Sequence, residues 1–177
     1  TDGENAINVL GQTTFTTSTS AVTQAGMGNI FGLAFDSTNN RLFVSQSSSN
    51  RITVYDVASI TDGENAINVL GQTTFTGSSA AVTQGGMATG GPQGMAYDNA
   101  NSRLFVANGN RVTVYDVASI TDGENAINVL GQTTFTVNTA ATTQAGVNSP
   151  TGLAYDSTND RLFVAQSGNH RVTVYDV

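Results

Sequence analysis

Short apolar runs alternate along the chain with clusters of Gly, Asn, Asp and Ser, and no ten-residue stretch shows the 3.6-residue periodicity of a helix. The apolar runs are short and rich in Val, Ile, Thr, Phe and Tyr, a composition that predicts β-strands joined by turns. In the run Arg171–Val177 alternate side chains point to opposite faces, so Val172 and Tyr175 lie on different sides. Both faces carry bulky residues, which is typical of sheets packed between neighbours.

The chain of 177 residues repeats itself with a period of 60, because the sixteen residues TDGENAINVLGQTTFT begin at Thr1, Thr61 and Thr121. We interpret it as one repeat array over residues 1–177, with units 1–60, 61–120 and 121–177. Four short strands per unit predict an all-β fold of β-propeller blades, with three four-stranded antiparallel blades per chain.

The predicted strands fall at equivalent positions in the three units. The first strand is expected at 32–36, 94–98 and 152–156, the second at 41–44, 103–106 and 161–164, the third at 51–57, 111–117 and 171–177, and the fourth at 6–12, 66–72 and 126–132. The Asp that ends each first strand is expected to cap the turn that follows it. The Arg that starts each third strand is expected to contact backbone carbonyls or an Asp of an adjacent turn.

Residues 149–177, SPTGLAYDSTNDRLFVAQSGNHRVTVYDV, resemble the NHL repeat, with its Pro-x-Gly start, its Val-Ala strand and its Gly-Asn-x-Arg hairpin. The second unit keeps Pro92, Gly94 and Asp98, whereas the first lacks the Pro. The segment VLGQTTFT is similar to that of bacterial long-blade NHL proteins. The resemblance implies a propeller of bacterial origin, with an extracellular or periplasmic parent as one option. It does not imply one function, because a single fold hosts many.

Three propeller blades leave two apolar faces and open sheet edges uncovered, and closed rings usually have about four to eight blades. The chain opens with a fourth-strand segment and ends on a third strand. We therefore expect the N-terminal strand 6–12 to complete, in another copy, the blade that ends at Val177. A homodimer would give six blades and is favoured, and a homotrimer would give nine. The predicted interface residues are Ala6, Ile7, Val9, Leu10, Arg171, Val172, Val174 and Tyr175.

The amino-acid composition argues against several classes of partner and site. The net charge is −7 and Lys is absent, which argues against nucleic acid or an anionic membrane as a partner. Cys is absent, so disulfides and thiolate metal sites are excluded. No apolar run approaches the roughly 20 residues of a membrane span.

Nearly all ionisable residues recur in every unit, which favours structural roles over a catalytic centre. The one histidine, His170, stands where the other units have Asn50 and Asn110. The resemblance implies that an NHL-like hydrolase or lyase would use a cluster of His residues. The chain has a single His. We predict a non-enzymatic self-assembling scaffold without cofactor or metal, from a repeat-amplified or designed protein. The alternative is a module that binds protein or carbohydrate through a loop face carrying those three positions.

Overall fold

The computed structural model describes residues 2–177, which form eleven β-strands in three antiparallel sheets. Blade 1 contains β1 (Ile30–Asp36), β2 (Arg41–Gln46), β3 (Arg51–Asp56) and β4 (Asn68–Leu70). Blade 2 contains β5 (Pro92–Asp98), β6 (Arg103–Asn108), β7 (Arg111–Asp116) and β8 (Asn128–Leu130). Blade 3 contains β9 (Pro150–Asp156), β10 (Arg161–Gln166) and β11 (Arg171–Asp176).

Each sheet is a simple meander in which consecutive strands pair, and this confirms the all-β prediction of propeller blades. Short 3-10 turns at Ser47–Ser49 and Ser167–Asn169 are the only helical segments among the described residues. None of the helical segments within residues 2–177 has the length and apolarity needed to cross a membrane.

The first strands of successive blades, β1, β5 and β9, lie side by side at the inner edge of the array. Glycine makes this approach possible, because a Cβ at Gly94 would stand 2.4 Å from the carbonyl oxygen of Thr151. A Cβ at Gly32 would stand 2.7 Å from the carbonyl oxygen of Gln93. Gly32 and Gly94 therefore allow neighbouring first strands to approach this closely.

The turn between the first and second strands is built as the sequence predicts. Asp36 Oδ1 accepts hydrogen bonds from the backbone N–H groups of Thr38 and Asn39, at 3.0 and 3.1 Å. Its Oδ2 accepts from the guanidinium of Arg41 at 2.6 Å. Asp98 repeats this arrangement with Arg103 at 2.7 Å. These buried carboxylates cap their turns and fix the register of each hairpin.

Apolar side chains fill the spaces between the blades. Between blades 1 and 2, Phe43, Ile52 and Val54 pack against Leu104 and Val106, all fully buried. The interface between blades 2 and 3 repeats these contacts one repeat further along. Its buried residues are Ala96, Phe105, Val112, Val114, Leu162 and Val164. The core of the array therefore lies in its two interior interfaces.

One prediction about the fourth strand needs correction. The strands expected at 66–72 and 126–132 shorten to Asn68–Leu70 and Asn128–Leu130. The segment 6–12 forms no strand, and blade 3 consequently has three strands rather than four. The shortened strands end before Gly71 and Gly131, whose φ angles of 86° and 87° leave the extended region. A strand also needs a neighbour that supplies ladder hydrogen bonds, and among the described residues the segment 6–12 has none. Its pairing with another copy stays a prediction.

Candidate functional site: the open ends of the array

Residues 6–12, the N-terminal arm, are held against blade 1 although they form no strand. Gly63 N–H donates to the Val9 carbonyl at 3.0 Å, and Val9 N–H donates to Asp62 Oδ1 at 3.0 Å. Val69 makes the same two bonds with the corresponding turn of the third repeat. The arm is therefore placed like the outer strand of a blade that would precede blade 1.

The side of blade 1 that faces away from blade 2 is the leading face, and several of its apolar side chains are uncovered. Leu33 is 60% exposed, whereas Met95, which has the same place in blade 2, is 7% exposed. Phe35 is also exposed, although Tyr97 at the equivalent position stacks on Phe43 with ring centroids 5.9 Å apart. A cleft of about 330 Å³ opens on this face. It is lined by Asn8, Leu10, Met27, Ile30, Leu33, Leu42, Val44 and Ile60.

The side of blade 3 that faces away from blade 2 is the trailing face. Val172 is 60% exposed and Val174 is 54% exposed. The equivalent residues of blade 2, Val112 and Val114, are 0% and 4% exposed because blade 3 covers them. The free edge of β11 adds the unpaired backbone groups of an edge strand to this apolar face.

The predicted interface residues therefore sit at the two ends of the array and do not touch one another across it. Four of them are exposed: Ala6, Ile7, Val172 and Val174. Four are half-buried: Val9, Leu10, Arg171 and Tyr175.

The arginine that starts each third strand in blades 1 and 2 forms a hydrogen bond with the segment that follows its blade. The guanidinium of Arg51 donates to the carbonyl of Phe75, and that of Arg111 donates to the carbonyl of Phe135. Both arginines are fully buried with backbone carbonyls as acceptors, as the sequence predicts, and burial lowers the pKa of each. Arg171 bonds to the carbonyls of its own loop, and its Nε has no partner. In the interior the corresponding Nη1 donates to the carbonyl of Phe75 or Phe135, whereas Nη1 of Arg171 reaches the Thr142 carbonyl at 3.5 Å.

A second arginine links each blade to the end of the next one. Arg41 Nη2 donates to the Val117 carbonyl at 2.5 Å, and Arg103 Nη2 reaches the Val177 carbonyl at 3.5 Å. Burial would raise the pKa of Asp98, but hydrogen bonds from Asn101 and Arg103 outweigh it and hold that pKa below its ordinary value. Arg161, the third member, is half exposed and lies 3.6 Å from Asp176.

The loop-face candidates occupy hairpin ends. Asn50 Nδ2 donates to the carbonyl of Ser78 at 2.9 Å, and Asn110 Nδ2 donates to that of Asn138 at 3.0 Å. His170 is exposed in the left-handed conformation with φ 51°, close to the 46° of Asn50. These bonds place the long inter-blade loops beside the hairpins. A cleft of about 370 Å³ near Asn110 is lined by small and neutral polar residues.

Among residues 2–177, no three His, Cys, Asp or Glu side chains are grouped so that they could hold a metal ion. The open ends offer hydrogen-bonding strand edges and apolar faces.

The sequence reasoning did not single out the residues that hold each outer strand in place. These are the turn Asp62-Gly63 and the residue Gln84. The side-chain amide of Gln84 donates to the Ala126 carbonyl at 2.8 Å, and the backbone carbonyl of Gln84 accepts from Ala126 N–H at 3.0 Å. Identity of TDGEN in all three repeats was the signal that could have found the turn, since a free surface turn would tolerate variation.

Comparison with known proteins supports the blade assignment. Residues 147–175 match the family model described as NHL repeat. Hydrazine synthase of Kuenenia stuttgartiensis is similar with a TM-score of 0.56 and 15% identity, over 93% of this chain and 36% of that one. A structure of a nidogen/laminin complex gives a TM-score of 0.46 and 16% identity, over 85% of this chain and 49% of that one. Comparison with curated sequences gave no match. The chain thus spans about a third to a half of these two structures.

Proposed function

We propose that this chain, in which residues 147–175 match the NHL repeat and the strands of the described residues form propeller blades, is a non-enzymatic scaffold that closes its propeller ring with a second copy of itself. The observation that carries the proposal is the complementarity of the two open ends. Each end exposes the residues whose repeat equivalents are buried against each other inside the chain. Two copies would give six blades, within the usual range of closed propellers.

The apolar part of this seam follows from the two interior interfaces. In both of them the residues equivalent to Val172 and Val174 pack on those equivalent to Leu42 and Val44. Phe105 stacks on Tyr155 with centroids 5.6 Å apart, so Phe163 is expected to stack on Phe35 of the second copy. The leading cleft lies on the blade face that would receive the trailing face.

The backbone part of the seam follows from the strand register. Thr53 pairs with Val69, and Thr113 pairs with Val129. The equivalent pair at the seam joins Thr173 of one copy to Val9 of the other. The arm would then gain the ladder hydrogen bonds it lacks, and β11 would lose its free edge.

Polar contacts would complete the seam at positions that are satisfied inside the chain. Asp62 and Asp122 accept from the outer strands that precede them, so Asp2 is expected to accept from Val129 N–H of the second copy. In the single chain Val129 N–H instead donates to Oδ1 of the adjacent Asn128 at 2.8 Å. Arg171 would likewise find the carbonyl of Phe15, as Arg51 finds that of Phe75.

Light scattering behind a sizing column, over a wide range of concentration, tests the proposal. The expected mass is twice the 18.3 kDa of one chain. A monodisperse monomer at all concentrations would overturn the proposal, and a mass of three chains would indicate the nine-bladed trimer instead.

Disulfide trapping tests the register independently, since the chain has no cysteine of its own. Directly opposed residues of neighbouring antiparallel strands bring their Cβ atoms to about 4.5–5.5 Å, near the range that a disulfide spans. The double variant Val9→Cys, Thr173→Cys should give covalent dimers under oxidation. The matched control Val9→Cys, Val172→Cys moves one cysteine to the opposite face and should not. Equal crosslinking of both pairs would rule out the proposed register.

A binding module is the second candidate, and the cleft near Asn110 favours it. The cleft lies between the hairpin of blade 2 and the start of blade 3, and its walls carry Gln93, Asn138 and Ser149. Neutral polar walls of this kind suit a peptide backbone or a glycan. Screening the assembled protein against glycan and peptide arrays tests this function, and the absence of saturable binding would count against it.

A further inference from the structure

The three repeats differ at one buried position beside the start of the third strand, where blades 1 and 3 have Gln46 and Gln166 and blade 2 has Asn108. In blade 1 the amide of Gln46 joins two neighbours. Its Oε1 accepts from Arg51 Nε at 3.1 Å, and its Nε2 donates to Thr53 Oγ1 at 2.8 Å. One amide therefore satisfies a buried guanidinium and a buried hydroxyl together.

Asn108 is one methylene shorter, and its amide no longer bonds to the arginine or the threonine, although it keeps the kind of bond that Gln46 Oε1 accepts from Gly28 N–H at 2.9 Å. Its Oδ1 accepts from Ala88 N–H at 2.7 Å, and its Nδ2 donates to the Gly86 carbonyl at 3.4 Å. Arg111 Nε and Thr113 Oγ1, the counterparts of the two atoms that Gln46 joins, are left without a hydrogen-bond partner. Both residues are fully buried between blades 1 and 2.

Three buried polar atoms on this face of β7 lack partners, namely Arg111 Nε, Thr113 Oγ1 and Tyr115 Oη, and such atoms are costly because each has given up its hydrogen bonds to water. Arg111 and Thr113 lie two residues apart on β7, so their side chains point to the same side, as those of Arg51 and Thr53 do on β3. The group missing between them must accept from an N–H and be able to donate to a hydroxyl oxygen. A water molecule does both.

We propose that blade 2 binds one ordered water between Arg111 Nε and Thr113 Oγ1, at the place that the side-chain amide of Gln46 occupies in blade 1. Buried waters commonly stand in this way for a missing polar side chain and make two to four hydrogen bonds. The site lies in an interior interface and does not depend on how the ends of the array are covered.

Blade 3 shows why the site is particular to blade 2. Gln166 keeps its bond to Thr173 Oγ1 at 2.8 Å, so the hydroxyl is satisfied there. Arg171 Nε lacks a partner, but Arg171 is half-buried at the open end. Only blade 2 combines full burial with two unpartnered atoms facing one missing amide.

A high-resolution crystal structure of the full chain, grown once in chloride and once in bromide, tests the proposal. We expect a density peak within hydrogen-bond distance of both Arg111 Nε and Thr113 Oγ1, without anomalous signal in bromide. No peak, or a protein group in its place, would overturn the proposal. An anomalous bromide peak would also overturn it, because the ligand would then be an anion that neutralises the buried guanidinium.

Reciprocal substitutions provide a second measurement. Asn108→Gln should replace the water by the new amide and raise the melting temperature by about 2–4 °C, the shift expected for one net hydrogen bond in a chain of this size. Gln46→Asn is the matched variant and should create a corresponding water in blade 1. If Gln46→Asn leaves Arg51 Nε and Thr53 Oγ1 without a bound water, the proposal is wrong.

Discussion

Strands β7 and β11 have the same six residues, RVTVYD, but differ in how far those residues are buried. In β7 the first five residues are buried, whereas in β11 buried positions are absent and exposed residues alternate with half-buried ones. Blade 3 covers one face of β7 and β8 covers its edge. None of the residues 2–177 covers the corresponding face and edge of β11.

The comparison shows that burial here is a property of the neighbours and not of the local sequence. The exposed residues of β11 are those on the trailing face, and the half-buried ones point toward blade 2. One face of β11 is therefore already an interior face, and the other is an interior face without its partner. The predictions below use this pair of strands and their blades as matched contexts.

The largest expected difference is between Val114→Asp and Val174→Asp. At Val114, which is 4% exposed, an aspartate would be buried without a partner, and the cost of several kcal/mol approaches the whole stability of a domain. We expect this variant to fail to fold. At Val174 the same substitution should leave a protein with native circular dichroism that no longer dimerises. Light scattering of Val174→Asp checks this, and a persistent dimer would contradict the proposed seam.

A smaller difference is expected between Asp98→Asn and Asp156→Asn. Asp98 is fully buried and binds Arg103 Nη2 at 2.7 Å, whereas Asp156 is half-buried and bonds only to its own turn. Losing a buried charge-assisted pair should lower the free energy of unfolding by about 1.5–3 kcal/mol. Asp156→Asn should lower it less. Urea denaturation of both variants measures the two effects, and equal losses would show that blade 3 is as tightly built as blade 2.

Low pH should lower the stability of blades 1 and 2, because it protonates the carboxylates of Asp36 and Asp98. Burial would raise the pKa of Asp36 and Asp98, but hydrogen bonds from Asn39 and Asn101 and from the paired arginines hold each pKa below the ordinary 3.8. A lowered pKa in the folded state stabilises the fold above the unfolded pKa, and this contribution is lost as pH falls through the folded value. The melting temperature should therefore drop below about pH 4. The drop should be smaller in Asp98→Asn, and an unchanged drop would exclude Asp98 as a cause.

Much of the fold could be predicted because the same pattern of strands and turns recurs in each repeat of the sequence. The turn capped by Asp36, the strand that starts at Arg51 and the packing of Val54 depend on residues within one repeat and its neighbour, so periodicity was enough to place them.

The rest depended on contacts that periodicity does not encode. The segment 6–12 is not a strand in the single chain, and its expected pairing with another copy stays a prediction. The unsatisfied Arg111 followed from the one-methylene difference between Gln46 and Asn108, which looks conservative in sequence. Only the distances between side chains showed that the shorter amide bonds elsewhere.

The smallest expected effect is that of His170→Asn, which compares the hairpin of blade 3 with that of blade 1. His170 and Asn50 share the left-handed conformation, which Asn and His both adopt more readily than most residues. In the isolated chain the substitution should shift the melting temperature by less than about 2 °C, since His170 is exposed. The reverse change, Asn50→His, should cost more because it removes the bond to the Ser78 carbonyl. In the closed ring, an asparagine at 170 could make that same bond to Ser18 of the second copy, so His170→Asn should modestly strengthen dimerisation. Sedimentation of both variants over a dilution series measures this, and weaker dimers of His170→Asn would mean that the histidine itself contributes to the seam.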